Sequence, residues 1–240
     1  MFKFFKEIFI QTPFKEGILP FDVRYALQYK GGILNQTEIK ILAENNFENE
    51  ACFLFLKSLR DDPLKHKEFL QKYCDIIIEQ TEENTKSFLR ELIIKTLAEK
   101  QNDVKIEAGK LAQLSRQDFD WWRIKFKSLA YKLSESEKNI FLIAHTTLMG
   151  LPYFLKAFQT RNKNLYIIVP QWENNKIGYS INFTEKNKVI LHWFFLPSEK
   201  NIACVLVDDT QNTGETLKKV SGILKRANFL NIETITLNKT

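Results

Sequence analysis

The sequence predicts an α/β protein in which an all-helical N-terminal part precedes a parallel-sheet core. Up to residue 135, apolar residues recur at helical spacing, whereas beyond residues 134–138 short β-branched runs alternate with helical segments. The chain also has 20 Phe and only 8 Gly, which favours helical layers over a turn-rich all-β fold. We therefore predict a helical domain over residues 1–135 and an α/β domain over residues 136–240.

The N-terminal part predicts a series of short helices bounded by capping residues and prolines. Asn35 with Glu38 is typical of one helix start, Pro63 after an Asp cap marks another, and Gly31 with Gly32 predicts a turn. The predicted helices are residues 2–10, 21–29, 35–44, 48–60, 63–79, 85–100, 105–114 and 118–133. Candidates for burial include Ala51, Phe55, Leu59, Phe88, Leu92 and Leu97. The apolar face of the first segment fits packing on the protein body, the favoured interpretation, or a membrane surface.

The last of these helices carries a conspicuous aromatic and basic stretch. Trp121, Trp122 and Arg123 could stack on a base or form the centre of a partner interface. The favoured interpretation is that the aromatic rings pack this helix on the next domain, while Lys125 and Lys127 face water.

The C-terminal part predicts strands that alternate with helices, interrupted by one antiparallel pair. Pro152 in the first turn of one helix and the proline after the second strand fix two of the boundaries. The predicted strands are residues 139–144, 165–169, 177–183, 189–196, 202–207 and 232–237, and the helices are residues 151–160 and 217–228.

The stretch that begins at Ala203 contains the pattern with the most chemical information. An apolar, β-branched run ends at Asp208 and Asp209, and a short polar loop then closes with a Thr-Gly-x-Thr tetrapeptide that ends at Thr216. In a strand-loop-helix arrangement, backbone N–H groups and hydroxyls can cradle an anion. Two carboxylates would repel a bare phosphate, so the pattern predicts that they accept hydrogen bonds from a ribose diol or bind Mg²⁺.

This pattern resembles the phosphoribosyl-pyrophosphate motif of the type I phosphoribosyltransferases, in which four apolar residues precede an acidic pair and Thr/Ser-Gly-x-Thr closes the loop. The resemblance spans about residues 139–240 and implies a type I phosphoribosyltransferase-like, Rossmann-like core. It implies that Asp208 and Asp209 are the catalytic residues and hold the ribose hydroxyls. The residues implied to bind the ribose 5-phosphate are Asp208, Asp209, Thr210, Gln211, Asn212, Thr213, Gly214 and Thr216.

The same resemblance assigns two further loops. His145, Thr146 and Thr147 follow the first strand, where the family binds pyrophosphate, and residues 171–193 correspond to a mobile lid. This pyrophosphate loop departs from the family because it offers hydroxyls and one imidazole but no Arg or Lys. His145 either donates to pyrophosphate when protonated or caps the strand end. The resemblance implies Mg²⁺ as a cofactor that reaches the site through the ligand, with no protein metal ligand assigned.

Two functions follow from this resemblance. The first is a Mg²⁺-dependent phosphoribosyltransferase, a glycosyltransferase that moves phosphoribose from phosphoribosyl pyrophosphate to a nitrogenous acceptor. The second is a non-catalytic module that senses phosphoribosyl pyrophosphate or a nucleotide and acts through its helical domain, as in bacterial conflict or regulatory systems. The plain pyrophosphate loop and the end of the chain at Thr240, close to the last strand, favour the second. Catalysis, the acceptor base, the oligomeric state and the natural C-terminus stay open.

Composition adds weaker expectations about partners and compartment. The net charge of +6 fits a polyanionic ligand and nucleic acid equally well. The cysteines are far apart in apolar contexts and are expected to be reduced and buried, and the histidines show no metal-ligand spacing. These residues are Cys52, Cys74, Cys204, His66, His145 and His192, of which His66 is expected to face solvent.

The expected partners follow from these features. They are phosphoribosyl pyrophosphate or a nucleotide, a protein bound through the helical domain, and a second copy of the chain. Nucleic acid rests only on charge and the tryptophan stretch. No apolar stretch is long enough to span a membrane and no signal-peptide cleavage pattern is present, so we expect a cytoplasmic protein without a membrane partner.

Overall fold

The chain folds as an α/β protein, as the sequence predicts, with helices preceding a six-stranded sheet. The computed structural model describes residues 19–30, 32–58, 63–99, 104–107, 116–144, 146–161, 163, 165–171, 176–183, 189–192, 203–211, 214–226 and 228–239. The described helices are α1 (Phe21–Tyr29), α2 (Gln36–Glu44), α3 (Glu48–Lys57), α4 (Pro63–Glu79), α5 (Glu82–Glu99), α6 (Arg116–Ser134), α7 (Leu151–Gln159), α8 (Glu215–Arg226) and a 3₁₀ helix (Thr146–Gly150). The described strands are β1 (Ile33–Leu34), β2 (Ile106–Glu107), β3 (Asn139–Ile143), β4 (Leu165–Gln171), β5 (Lys176–Phe183), β6 (Val189–His192), β7 (Ala203–Gln211) and β8 (Asn231–Lys239).

The start of α2 shows how a local sequence signal fixes a helix end. The Asn35 side chain accepts a hydrogen bond from the Glu38 N–H at 3.0 Å, and the Glu38 carboxylate accepts one from the Asn35 N–H at 2.7 Å. This reciprocal pair satisfies two of the N–H groups that a helix start leaves without partners. Lys30 adds an ion pair to the same Glu38 carboxylate at 2.9 Å. The predicted helix start at Asn35 is therefore confirmed.

One predicted helix is wrong at the residues the structure describes. Residues 105–114 were expected to be helical, but Ile106–Glu107 forms strand β2, which pairs antiparallel with β1. Ile106 and Leu34 face each other across this ribbon and are 2% and 0% exposed. The competing factor is tertiary: burial of a β-branched side chain and a ready backbone partner in β1 outweigh the helical spacing.

Burial in α5 follows the prediction at two of three positions. Leu92 and Leu97 are buried, whereas Phe88 is 40% exposed. The helix also begins at Glu82, three residues earlier than expected. The predicted helix over residues 2–10 lies outside the described residues, as do Gly31, Leu59 and the side chain of His66.

The six strands of the main sheet lie in the order β6-β5-β4-β3-β7-β8. β3 pairs parallel with both β4 and β7, and β8 pairs parallel with β7. β5 and β6 continue the sheet as an antiparallel pair beyond β4. This is the chain order of strands and helices expected from the sequence, and it places β3 and β7 side by side in the middle of the sheet.

Helices cover both faces of this sheet. Ile140 and Leu142 of β3 belong to a core that includes α7 and reaches through α6 into the helical part. Phe141 and Ile143, which point to the other face, pack in a smaller core with α8. Because β3 is buried on both faces, it is apolar at successive positions, as parallel strands usually are.

Helix α6 connects the helical part to the sheet through its aromatic side chains. Trp122 stacks on Phe126 with ring centroids 5.8 Å apart, and Phe126 contacts Phe154 of α7 at 6.4 Å. Trp121 stays 37% exposed, and the Lys125 ammonium lies 5.6 Å from its ring centroid. The interpretation that the aromatic rings of this helix pack on the part of the chain that follows is confirmed for Trp122 and Phe126 but not for Trp121. Because one core crosses residue 135, the division of the chain there stays a prediction.

The three cysteines are free and buried, as expected. Within the described part of the chain, no helix combines the length and hydropathy that crossing a bilayer would require.

We predict opposite effects of alanine at two glycines. A Cβ at Gly150 would lie 2.5 Å from Cγ of the fully buried Phe126, so Gly150→Ala should lower the free energy of unfolding by about 1–3 kcal/mol. At Gly222, inside α8, the nearest atom to such a Cβ is Arg226 Nη1 at 4.0 Å, so Gly222→Ala should raise it by about 0.5–1 kcal/mol. Urea unfolding of both variants tests this, and equal effects would contradict it.

We also predict that stability falls in alkaline solution through the buried thiols. Burial raises the pKa of Cys204 from 9.0 to about 11, and burial raises the pKa of Cys52 and Cys74 well above that ordinary value. The unfolded chain therefore loses these protons first, so their stabilisation is present below pH 9 and is lost as pH rises towards 11. The free energy of unfolding should fall between pH 8 and pH 10 in the parent and in Cys204→Ala. The fall should be smaller in the variant by on the order of 1 kcal/mol. An equal loss in both proteins would contradict the shift.

Candidate functional site at the carboxyl ends of β3 and β7

The sheet topology itself marks one edge as the place for a ligand. From β3 the chain passes through α7 to β4 on one side, whereas from β7 it passes through α8 to β8 on the other. α7 and α8 lie on opposite faces of the sheet. Where neighbouring strands send their connections in opposite directions, a crevice opens at their carboxyl ends, and open α/β sheets bind ligands there.

The acidic pair lies at this crevice. The last registered pair between the two strands is Leu142 with Val207, and Asp208 is the next residue of β7. β7 was expected to end at Val207, but it continues to Gln211 because β8 supplies backbone partners as far as Lys239. Asp208 and Asp209 therefore belong to the strand, where neighbouring side chains are held in fixed directions.

The two carboxylates face opposite sides of the sheet. By strand alternation, Asp208 shares a face with Cys204 and Leu206 in the core under α8, whereas Asp209 shares the α7 face with Val207. Both side chains are 5% exposed. The Asp209 N–H donates to Asp208 Oδ1 at 3.0 Å, which fixes the first carboxylate against the backbone. The strand end thus presents one oriented carboxylate towards each face.

The start of α8 supplies the anion-binding part of the site. Gly214 has a φ of 71°, a left-handed conformation that suits glycine, and its carbonyl accepts the Lys218 N–H at 2.9 Å. Thr216 is the second residue of the helix and is half-buried. The first N–H groups of a helix have no internal partners and carry partial positive charge, so this end can bind a phosphate. Glu215 places one carboxylate in the same turn.

Four residues of the predicted phosphate loop are described in part or not at all. The backbone of Thr210 and Gln211 continues β7, paired with Asn238 and Lys239, but their side chains lie outside what the structure describes. Asn212 and Thr213 lie outside the described residues altogether. Their predicted role stays a prediction.

The loop after β3 is a 3₁₀ helix that contacts β7 and so lies at the same edge of the sheet. Thr147 is fully buried, and its hydroxyl donates to the carbonyl of Ile143, the last residue of β3. The Thr147 hydroxyl proton therefore holds the loop to the strand. His145 and the side chain of Thr146 lie outside the described residues.

The sequence did not single out Gly150, which positions this loop. The loop's last residue lies against the Phe126 ring so closely that no side chain fits there. The signal that could have pointed to Gly150 was a lone glycine before the Leu-Pro start of α7. The sequence could not show that Phe126 would lie against this glycine, because the two residues are far apart in the chain.

The predicted lid strands belong to the main sheet. β5 pairs along the whole of β4, from Leu165 with Phe183 to Gln171 with Lys176, and the register shifts beside Pro170. β6 (Val189–His192) pairs with β5, and residues 193–196 of the predicted strand lie outside the described residues. The antiparallel pair is confirmed, and its action as a lid stays a prediction.

The described residues contain no group of three or more His, Cys, Asp and Glu side chains that could hold a metal ion. Asp208 and Asp209 are hard oxygen donors on opposite faces of β7, so either carboxylate alone fits a cation that takes its remaining ligands from a bound phosphate, as Mg²⁺ commonly does.

Comparisons with known proteins give limited similarity. No protein-family model matches the chain, and no curated protein does. Two solved structures match: hypoxanthine phosphoribosyltransferase from Staphylococcus aureus at 16% identity with a TM-score of 0.32, and the enzyme from Trypanosoma cruzi with the product IMP at 12% identity with a TM-score of 0.33. Each match covers 51% of this chain, and 65% and 68% of the two structures respectively. The chain thus spans less than two thirds of the Staphylococcus aureus protein. The function is therefore inferred from the geometry of the site itself.

Proposed function

We propose that the chain binds phosphoribosyl pyrophosphate at the carboxyl ends of β3 and β7 and acts as a Mg²⁺-dependent phosphoribosyltransferase. The observation that carries this proposal is the position of Asp208 and Asp209, at the topological switch point and on the strand that leads into the N-terminus of α8. A site that combines two carboxylates with a phosphate cradle suits a sugar phosphate, because the carboxylates accept from hydroxyls while the helix binds the phosphate.

The opposite directions of the two carboxylates suit an extended ligand. Asp208 lies on the face of α8, where the helix start would bind the 5-phosphate. Asp209 lies on the face of α7 and of the 3₁₀ helix, whose Leu148 and Met149 belong to the same core. A ribose across the strand end would then have its 5-phosphate on one side and its pyrophosphate on the other, with a carboxylate for the hydroxyls between them.

The chemistry requires positioning more than covalent help. Departure of pyrophosphate from C1 of the ribose leaves an oxocarbenium-like centre, which a nitrogen nucleophile then attacks. Asp208 and Asp209 hold the ribose in place, and the start of α8 fixes the other end of the ligand, so that the reacting bond has one orientation. Mg²⁺ would neutralise charge on the departing pyrophosphate, and the Asp209 carboxylate, which lies on the same side of the sheet as the 3₁₀ helix, is the oxygen donor that fits it.

A second candidate, a sensing module without catalysis, is favoured by a different observation. The loop of residues 145–150 has no Arg or Lys, and Thr147 uses its hydroxyl proton to hold the loop to β3. The same loop packs on α6 through Gly150 and Phe126. Ligand binding at this edge would therefore be transmitted to the helical part even when no bond is broken.

We predict that phosphoribosyl pyrophosphate with Mg²⁺ raises the melting temperature of the chain. A ligand at about a hundred times its Kd adds roughly 2.7 kcal/mol of stability, which is on the order of 5–10 °C for a protein of this size. No shift at millimolar ligand would contradict binding. Where the shift is present, release of pyrophosphate on addition of purine or pyrimidine bases distinguishes the enzyme from the sensing module.

We predict that Asp208→Asn combined with Asp209→Asn abolishes this shift while the fold is retained. Amides replace carboxylates of the same shape, so the charge-assisted hydrogen bonds to the ribose hydroxyls are lost. Asp22→Asn combined with Asp75→Asn, on α1 and α4, is the matched control and should leave the shift unchanged. Circular dichroism checks the fold, and a full shift in the Asp208/Asp209 variant would overturn the assignment of the ribose site.

A further inference from the structure

A second concave site lies where the helical part meets α6 and α7. It is a cavity of about 310 Å³, lined by side chains of α3, α4, α5, α6, the 3₁₀ helix and α7. None of its lining residues belongs to β7 or α8. The cavity therefore does not include the acidic pair or the start of α8, although it shares Leu148 and Met149 of the 3₁₀ helix with the loop at the strand end. The proposal made for it does not rest on the proposed function. The volume of the cavity is at the lower end of the range for sites that enclose small organic ligands.

The floor of this cavity is apolar and aromatic. Phe53, Tyr73, Ile77 and Leu148 line it and are all buried, with Tyr73 only 3% exposed. Burial raises the pKa of the Tyr73 phenol well above its ordinary value, which favours the neutral form further. A floor of this kind excludes water from the face of a flat ring.

The rim carries positive charge. Lys86, Arg123, Lys127 and Lys156 line the cavity against two acidic residues, Glu50 and Glu82. Among the ion pairs of the described residues, none includes Lys86, Lys127 or Lys156. These three ammonium groups come from different helices, α5, α6 and α7, yet they surround one opening. Like charges brought together in this way favour an anion between them.

Arg123 is held in position at the same opening. Its Nε donates to the Tyr153 hydroxyl at 3.0 Å, so α6 and α7 are joined across the cavity wall. The Arg123 guanidinium therefore adds a fixed positive charge to the rim.

We propose that this cavity binds a nucleoside monophosphate, a ligand that joins a flat ring to a doubly charged phosphate. The ring would lie over the aromatic floor at Tyr73, and the phosphate would lie among Lys86, Lys127 and Lys156. A bare inorganic anion would leave the aromatic floor unused, and a neutral nucleoside would leave the cationic rim unused. The two parts of the cavity are complementary only to a molecule that has both.

The test is calorimetric titration of the full chain with AMP, GMP, CMP and UMP, in the Asp208→Asn, Asp209→Asn background so that the strand-end site does not contribute. At least one nucleotide should bind. Its parent nucleoside and inorganic pyrophosphate should each bind at least about tenfold more weakly than that nucleotide. Adding Lys127→Met with Lys156→Met should lower the affinity for the nucleotide by about tenfold or more. Lys67→Met with Lys132→Met removes two exposed lysines outside the cavity and should change nothing.

Three results would overturn the proposal. The first is an absence of binding for all four nucleotides at millimolar concentration. The second is equal affinity in the Lys127/Lys156 variant and its parent, with circular dichroism confirming that both are folded. The third is binding that is present in the wild-type chain but lost in the Asp208/Asp209 background, since that nucleotide would occupy the strand end.

Discussion

The parallel hydrogen-bonded pairing of β3 with β7 is the constraint on which the rest of the molecule depends. It places side by side two parallel strands whose following connections run to opposite sides of the sheet, and this opens the crevice at their carboxyl ends. It also buries both strands between α7 and α8, which anchors the two carboxylates at the end of a rigid element. Charged groups are stable at such a depth only with oriented polar partners, and the Asp209 N–H provides one for Asp208.

The helical part is joined to the sheet by packing. One core runs from α2 and α3 through α6 to the α7 face of the sheet, and Phe126 lies fully buried in it. On one side this ring contacts Phe154, and on the other it fills the space beside Gly150 at the end of the 3₁₀ helix. The 3₁₀ helix Thr146–Gly150 is consequently both the loop at the strand end and a part of the cavity wall.

The sequence was sufficient for the fold class and for the order of elements after residue 138, because these depend on local patterns of periodicity and spacing. The binding role of the acidic pair stays a prediction. The sequence failed at Ile106–Glu107, which form a strand because β1 supplies a distant pairing partner. It also failed at Phe88, which was expected to be buried but is exposed. The continuation of β7 through Asp208 likewise depends on a distant partner, β8. The cationic rim could not be predicted at all, since Lys86, Arg123 and Lys156 become neighbours only when three helices pack.

The alternation of Asp208 and Asp209 across β7 makes the site sensitive to the number of residues before it. Loss or gain of a single residue at the start of β7 would move every following side chain of the strand to the other face, so both carboxylates would exchange sides while the composition hardly changed. The apolar residues that precede them would be inverted in the same step, placing Val207 under α8 and Leu206 under α7. A substitution in this strand can have a small or a large effect, whereas an insertion or deletion changes the direction of many side chains at once. The alternation of side chains along β7 is therefore as important here as the identity of any residue in the strand.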